Sequence, residues 1–196
     1  MIKEEGFRHL LPHEVIALQS NGCVAENWEH VWVADAFKCD SIHHVRFSGT
    51  VCLGLYEKEF ILPGGLRKKS GIRNVTLHNC TVGNHTLIED IHNYIANYVI
   101  GDECLIQNVD VMYVEGKATF GCNVSVSVLN ETGGREVPIY NGLSASLAYL
   151  IALYRHRPLL IERLQALITD YTEQHASEYG VIGDHVRIVN TGTIRN

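Results

Sequence analysis

Two histidines stand first among the residues able to do chemistry. His78 and His92 each precede an asparagine, as His78-Asn79 and His92-Asn93. An imidazole changes charge near neutral pH, so either ring is suited to take a proton from a hydroxyl or amine. With 11 histidines in the chain, a column of surface rings is the competing reading of the same pair. The second concentration is Asn130-Glu131-Thr132-Gly133-Gly134-Arg135-Glu136, which joins two acids, a base and a flexible glycine pair. Arg135 can hold a phosphate or carboxylate through its planar fork, with Glu131 or Glu136 contacting sugar hydroxyls and Asn130 opening the set. A turn with an internal Arg/Glu pair accounts for these residues equally well. Pro63-Gly-Gly-Leu-Arg-Lys-Lys69 and Arg155-His-Arg157 are basic clusters that would attract a phosphate or serve as solvated loops. No phosphate-cradling Gly-x-x-x-x-Gly-Lys-Ser/Thr motif occurs.

The elements that must position these residues are announced by a repeat. Val82-Gly-Asn-His-Thr-Leu-Ile88, Ile100-Gly-Asp-Glu-Cys-Leu-Ile106, Phe120-Gly-Cys-Asn-Val-Ser-Val126 and Ile182-Gly-Asp-His-Val-Arg-Ile188 align, at spacings of 18, 20 and 62. A second set follows: Ile72-Arg-Asn-Val75, Ile88-Glu-Asp-Ile91, Ile106-Gln-Asn-Val109 and Ile188-Val-Asn-Thr191, with a weaker forerunner at Ile42-His-His-Val45. An apolar residue every six positions, closing after 18, predicts a coil with three short sides, apolar columns inside, and Gly, Asn or Asp at left-handed corners. Five Asn-x-Ser/Thr sequons, at Asn74, Asn79, Asn84, Asn123 and Asn130, fit the same scheme, each asparagine at a turn. Cys104 occupies a core column. His78, His85 and His92 are 7 and 7 apart, which does not match a coil of 18, so no metal site is expected from them.

The motif [Ile/Val]-Gly-[Asp/Asn]-x-x-x-[Ile/Val], with the six-residue rhythm from about Ile42 to Leu129 and again from Val181, resembles the left-handed β-helix of the hexapeptide-repeat transferase superfamily. More narrowly, Val45-Arg-Phe-Ser-Gly49, Leu77-His-Asn-Cys-Thr-Val-Gly83, Tyr94-Ile-Ala-Asn-Tyr98 and Asn130 to Tyr140 resemble a group labelled as related to UDP-N-acetylglucosamine pyrophosphorylase. The resemblance implies a mainly β left-handed parallel β-helix. It also implies a transferase-like protein that acts on or binds a nucleotide sugar or related carbohydrate. Acyl-coenzyme A or a nucleotide sugar would be the substrate, and His78 or His92 the general base. Related proteins often form trimers, so a homotrimer is one expected assembly. A non-catalytic scaffold with a helical partner-binding insert is the alternative.

The rhythm breaks after Tyr140. Leu143, Leu147, Leu150, Ile151 and Tyr154 follow helical spacing behind Ser144, and Pro158 opens a second run through Leu160, Leu164, Leu167, Ile168 and Tyr171. The expected organisation is an N-terminal helical cap region over 1–41, with a short helix from Pro12 to Ser20, then coils over 42–139. A helical hairpin over 140–180 and a resumed coil over 181–196 follow. That last coil stops uncovered, as if further coils of a longer chain followed it.

With 196 residues, 46% hydrophobic and 19% charged, 17 glycines and 4 prolines, the composition is globular. A net charge of −6 argues against a general nucleic-acid or anionic-membrane binder. The start carries no apolar signal core and no stretch approaches about 18 apolar residues. Six cysteines without a Cys-x-x-Cys pair read as free thiols of a cytoplasmic protein.

Overall fold

The structure is a computed structural model that describes residues 6–127 and 136–196. The chain forms two units, one running to Glu115 and resuming over Tyr179–Arg195, the other Gly116–Glu178. The first unit contains β1 (Phe7–His9), α1 (Pro12–Ser20), β2 (Val24–Ala25), β3 (Val31–Ala34) and β4 (Ile42–Leu53). It continues with β5 (Glu59–Ile61), β6 (Arg67–Lys69), β7 (Gly71–Val82), β8 (Leu87–Ile91), β9 (Ile95–Ile100) and β10 (Leu105–Tyr113). The second holds β11 (Val124–Ser127), β12 (Glu136–Ile139), α2 (Ala145–Leu153) and α3 (Pro158–His175), after which β13 (Gly180–Ile182) and β14 (Arg187–Arg195) rejoin the first.

Like residues stack on like across parallel strands. Ile42 lies opposite Ile72, Ile72 opposite Ile88, Ile88 opposite Ile106 and Ile106 opposite Ile188. A second column runs Phe47, Leu77, Ile95, Met112 and Ile194, and a third Leu53, Val82, Ile100 and Ile182. The first four members of the first two columns are essentially without exposed surface. Burying each such side chain is worth about 1.5–3 kcal/mol. The chain bends between columns at residues with left-handed backbone: His44, Asn74, Asp90, Asn108 and Asn190 at one corner, Asn79 and Asn97 at another. Short polar side chains accept that conformation at low cost and also bond across strands. Asn74 Nδ2 donates to Asp90 Oδ1 at 2.8 Å and Asn108 Nδ2 to Asn190 Oδ1 at 2.7 Å. The sequons at Asn74, Asn79 and Asn123 thus mark left-handed positions, whereas Asn130 lies outside the described residues.

The left-handed β-helix with three short sides per coil is nevertheless not what the pairing defines. β7, β8, β10 and β9 pair in parallel in a closed ring, because the 12-residue β7 joins β8 through Gly71–Arg73 and β9 through Leu77–Val82. With the further strands and three helices of the described residues, the fold is mainly β, and its ten-stranded sheet has β1 antiparallel to β3. Strands that run on through their corners, and antiparallel hairpins such as β5–β6, replace the expected short sides. The third repeat copy, Phe120 to Val126, departs furthest. It enters β11, which pairs antiparallel with β12 and leaves Val124 and Val126 exposed. Its spacing satisfies the motif, but among the described residues no parallel strand stacks on it. Gly101 is followed in the stack by Gly183 instead: Gly101 N–H donates to Ile182 O, and a Cβ on Gly101 would overlap Asp184.

In the second unit Val137, Ile151, Ala152 and Ile168 form a small core, with Leu143, Leu147 and Leu164 packed against it. Ser144 caps α2 by accepting from Leu147 N–H at 3.2 Å, and Pro158 begins α3, where its missing N–H costs nothing. Among the described residues no helix is long and apolar enough to cross a membrane.

Candidate functional site

Parallel register builds the candidate site. β4 against β7 places Arg46 opposite Thr76, Phe47 opposite Leu77 and Ser48 opposite His78, and β7 against β9 places His78 opposite Ala96. Alternate residues of a strand face opposite sides. Phe47, Leu77 and Ile95 therefore enter the core, and Arg46, Ser48, Thr76 and His78 form a polar outer face. The bend between β8 and β9 brings His92, Asn93 and Tyr94 beside it. That bend is pinned by His92 N–H donating to Val109 O at 3.0 Å and Asn93 N–H to Asp110 O at 2.9 Å. These residues and Glu26 line a depression of about 470 Å³.

A chain of hydrogen bonds sets the state of His78. Asn79 Oδ1 accepts from Thr50 N–H at 3.0 Å, which fixes its amide so that Nδ2 donates to His78 Nε2, also at 3.0 Å. With Nε2 accepting, the imidazole proton belongs on Nδ1, which lies 2.8 Å from Ser48 Oγ. The Ser48 hydroxyl in turn donates to Glu26 Oε2 at 2.9 Å. Ser48 is thus bound to the carboxylate directly, and the order differs from a nucleophile–histidine–acid triad, where the histidine stands between. His78 has both ring nitrogens engaged. His92 and Arg46 are exposed, and among the described residues neither side chain has a hydrogen bond or ion pair. Tyr94 is 40% exposed, its ring 6.1 Å from that of Tyr113.

Both histidines named from the sequence thus meet in one depression. Glu136 opens β12 in the other unit, while Asn130, Glu131 and Arg135 lie outside the described residues. Glu26, Arg46, Ser48 and Tyr94 were not foreseen. Their signal was the offset of 30 between Ile42-His-His-Val45 and Ile72-Arg-Asn-Val75, which already sets residue 48 beside 78. The basic cluster at Arg67-Lys68-Lys69 is engaged elsewhere, pairing with Glu59, Glu89 and Asp40. Cys104 is fully buried, and burial pushes its thiol up from the ordinary value. Among the described residues no three His, Cys, Asp or Glu side chains converge as a metal ion requires.

Fold and site together define a mainly β protein of stacked parallel strands whose outer face carries a polar, histidine-bearing depression. The chain belongs to the family described as a domain of unknown function, DUF4954, whose model matches residues 7–196. It is also similar to a protein of Treponema pallidum (strain Nichols) described as an uncharacterized protein, 28% identical over 187 residues. That match covers 90% of this chain and 26% of the relative, so the chain spans about a quarter of the relative's length. No solved structure matches the chain.

Proposed function

We propose that the chain is a transferase-like protein that binds a nucleotide sugar or related carbohydrate on the outer face of β4, β7 and the β8–β9 bend. The observation that supports this is the gathering, in one depression, of a guanidinium without a partner among the described residues, an exposed tyrosine ring and two imidazoles. Arg46 suits a phosphate or carboxylate, and the Tyr94 ring suits the flat face of a sugar or base. His92 is the group able to take a proton from an acceptor hydroxyl or amine. His78, held on both sides, positions Ser48 and Glu26 instead. A cytoplasmic setting is part of this reading, and it suits six cysteines of which none is in a disulfide.

Thermal melting of the full chain against a panel of UDP-sugars and acetyl-coenzyme A tests this reading. A ligand at 100 times its Kd stabilises by about 2.7 kcal/mol, enough to raise the midpoint by several degrees. A rise with at least one UDP-sugar, lost in Arg46→Met, is the expected result. No rise with any member of the panel removes the reading.

A further inference from the structure

Apolar exposure is concentrated in the helical unit. Of the 18 large hydrophobic side chains exposed among the described residues, ten lie within Gly116–Glu178, although that unit is the smaller of the two. α2 carries no charged residue and still exposes Tyr149, Leu150 and Leu153, whereas a helix without a polar face is ordinarily covered all round. α3 has two distinct faces. One turns into its own unit: Ile168 and Thr172 are buried, Leu164 packs on the small core, and the Tyr171 ring lies 5.4 Å from that of Tyr140. The other is a seam at steps of three and four, Leu160, Arg163, Leu167 and Asp170, and all four residues are exposed. That spacing keeps one line of side chains along a helix and is the line on which a second helix packs.

The charges on the seam select the helix that fits it. Arg163 stands four residues before Leu167 and Asp170 three after, and neither has an ion pair among the described residues. An identical helix laid parallel in register would set Arg163 against Arg163 and Asp170 against Asp170. Laid antiparallel about a two-fold axis beside Leu167, the same helix sets each Arg163 near Asp170 of the second copy, so two opposite-charge contacts flank a leucine contact. The seam is thus complementary to itself in one orientation and repels itself in the other. We infer that α3 is the contact of a homodimer, its seam from Leu160 to Asp170 docked antiparallel on the same seam of a second copy. The leucines supply the buried apolar surface, and the Arg163–Asp170 pairs set orientation and register more than affinity. No residue of the histidine-bearing depression enters this contact, so it holds or fails independently of the carbohydrate reading.

Sedimentation velocity of the full chain, over about a hundredfold range of concentration, tests it. Wild type is expected to pass from monomer to dimer as concentration rises. Leu167→Glu, at an exposed position, should weaken dimerisation by about tenfold or more. Arg163→Asp sets like charges together and should weaken it by about tenfold, and adding Asp170→Arg to that variant should restore the dimer to within about threefold of wild type. Circular dichroism of each variant separates loss of the contact from loss of the fold, and the charge-reversal pair, which removes no leucine, carries the test by itself if Leu167→Glu unfolds. A wild-type monomer at every concentration overturns the inference, and so does a trimer, which a two-fold contact cannot build. A dimer left intact by Leu167→Glu places the contact elsewhere. Failure of Asp170→Arg to rescue Arg163→Asp overturns the antiparallel docking.

Discussion

In the strand unit Ile42, Ile72, Ile88 and Ile106 stack with no exposed surface, whereas in the helical unit Leu159 and Leu167 are 75% and 65% exposed. Both segments are rich in aliphatic residues, so composition is not the difference. Each parallel strand presents its apolar column to a neighbour bearing the same column, and burial then propagates from strand to strand. Among the described residues of the helical unit, Val137, Ile151, Ala152 and Ile168 form a small buried hydrophobic cluster. The candidate site lies on the unit with the continuous core, where register fixes side-chain positions.

Truncation within each core tests this contrast most strongly. Ile106→Ala removes the middle of a column and leaves a cavity that its neighbours in β8 and β14 cannot close, with an expected loss of about 2–5 kcal/mol in urea unfolding. Ile168→Ala should act locally. Amide exchange is expected to accelerate across residues 116–178 in that variant while β7, β8 and β10 keep their protection. A single shared transition, shifted equally by both variants, breaks the contrast.

Corners offer a finer comparison. Asn79 has φ 49°, accepts from Thr50 N–H and donates to His78 and Asn97. Asn123 of the helical unit has φ 65° and, among the described residues, one exposed side-chain bond, to Thr169 at 3.2 Å. Asn79→Ala combines backbone strain with lost part-buried bonds, for about 1–3 kcal/mol, and Asn123→Ala should cost about 1 kcal/mol. The first substitution should also free His78 Nε2, visible as a changed tautomer in imidazole nitrogen shifts. An unchanged tautomer would show that Asn79 does not set the state of His78.

The columns were legible in the sequence because the same residue recurs at each level: Ile72, Ile88, Ile106 and Ile188 announced their own alignment. The three helices were legible as well, since α1 begins at Pro12 and α3 at Pro158, and Ser144 caps α2. The ring was not. Whether β7 ends at its corner or continues to a second neighbour depends on which strands flank it, and no residue of β7 encodes that choice locally. The copy at Phe120 misled for a related reason, since a motif specifies inward and outward positions but not the partner that covers them. Within the site, His78 and His92 stood out by chemical type alone. Ser48, Arg46 and Glu26 did not, because serine, arginine and glutamate become notable only when stacking brings them to a histidine.

Alkaline pH gives the mildest test, confined to the strand unit. Burial pushes the Cys80 thiol up to about 12 and the Cys39 thiol up to about 11. Both residues lie in the strand unit. A thiol whose proton is held more tightly when folded stabilises the fold fully below its unfolded value near 9, and that stability is lost as pH rises toward the folded value. At pH 10 an unfolded thiol is mostly ionised and Cys80 is not, so unfolding at pH 10 is favoured by about 1 kcal/mol relative to pH 8 from this residue. Urea midpoints at pH 8 and pH 10 should show that decline in wild type and a shallower one in Cys80→Ala. Since the lost thiol also leaves a small void, the comparison is between slopes with pH and not between absolute stabilities. Equal slopes in the two proteins would mean that the columns around Cys80 admit water more readily than their zero exposure implies.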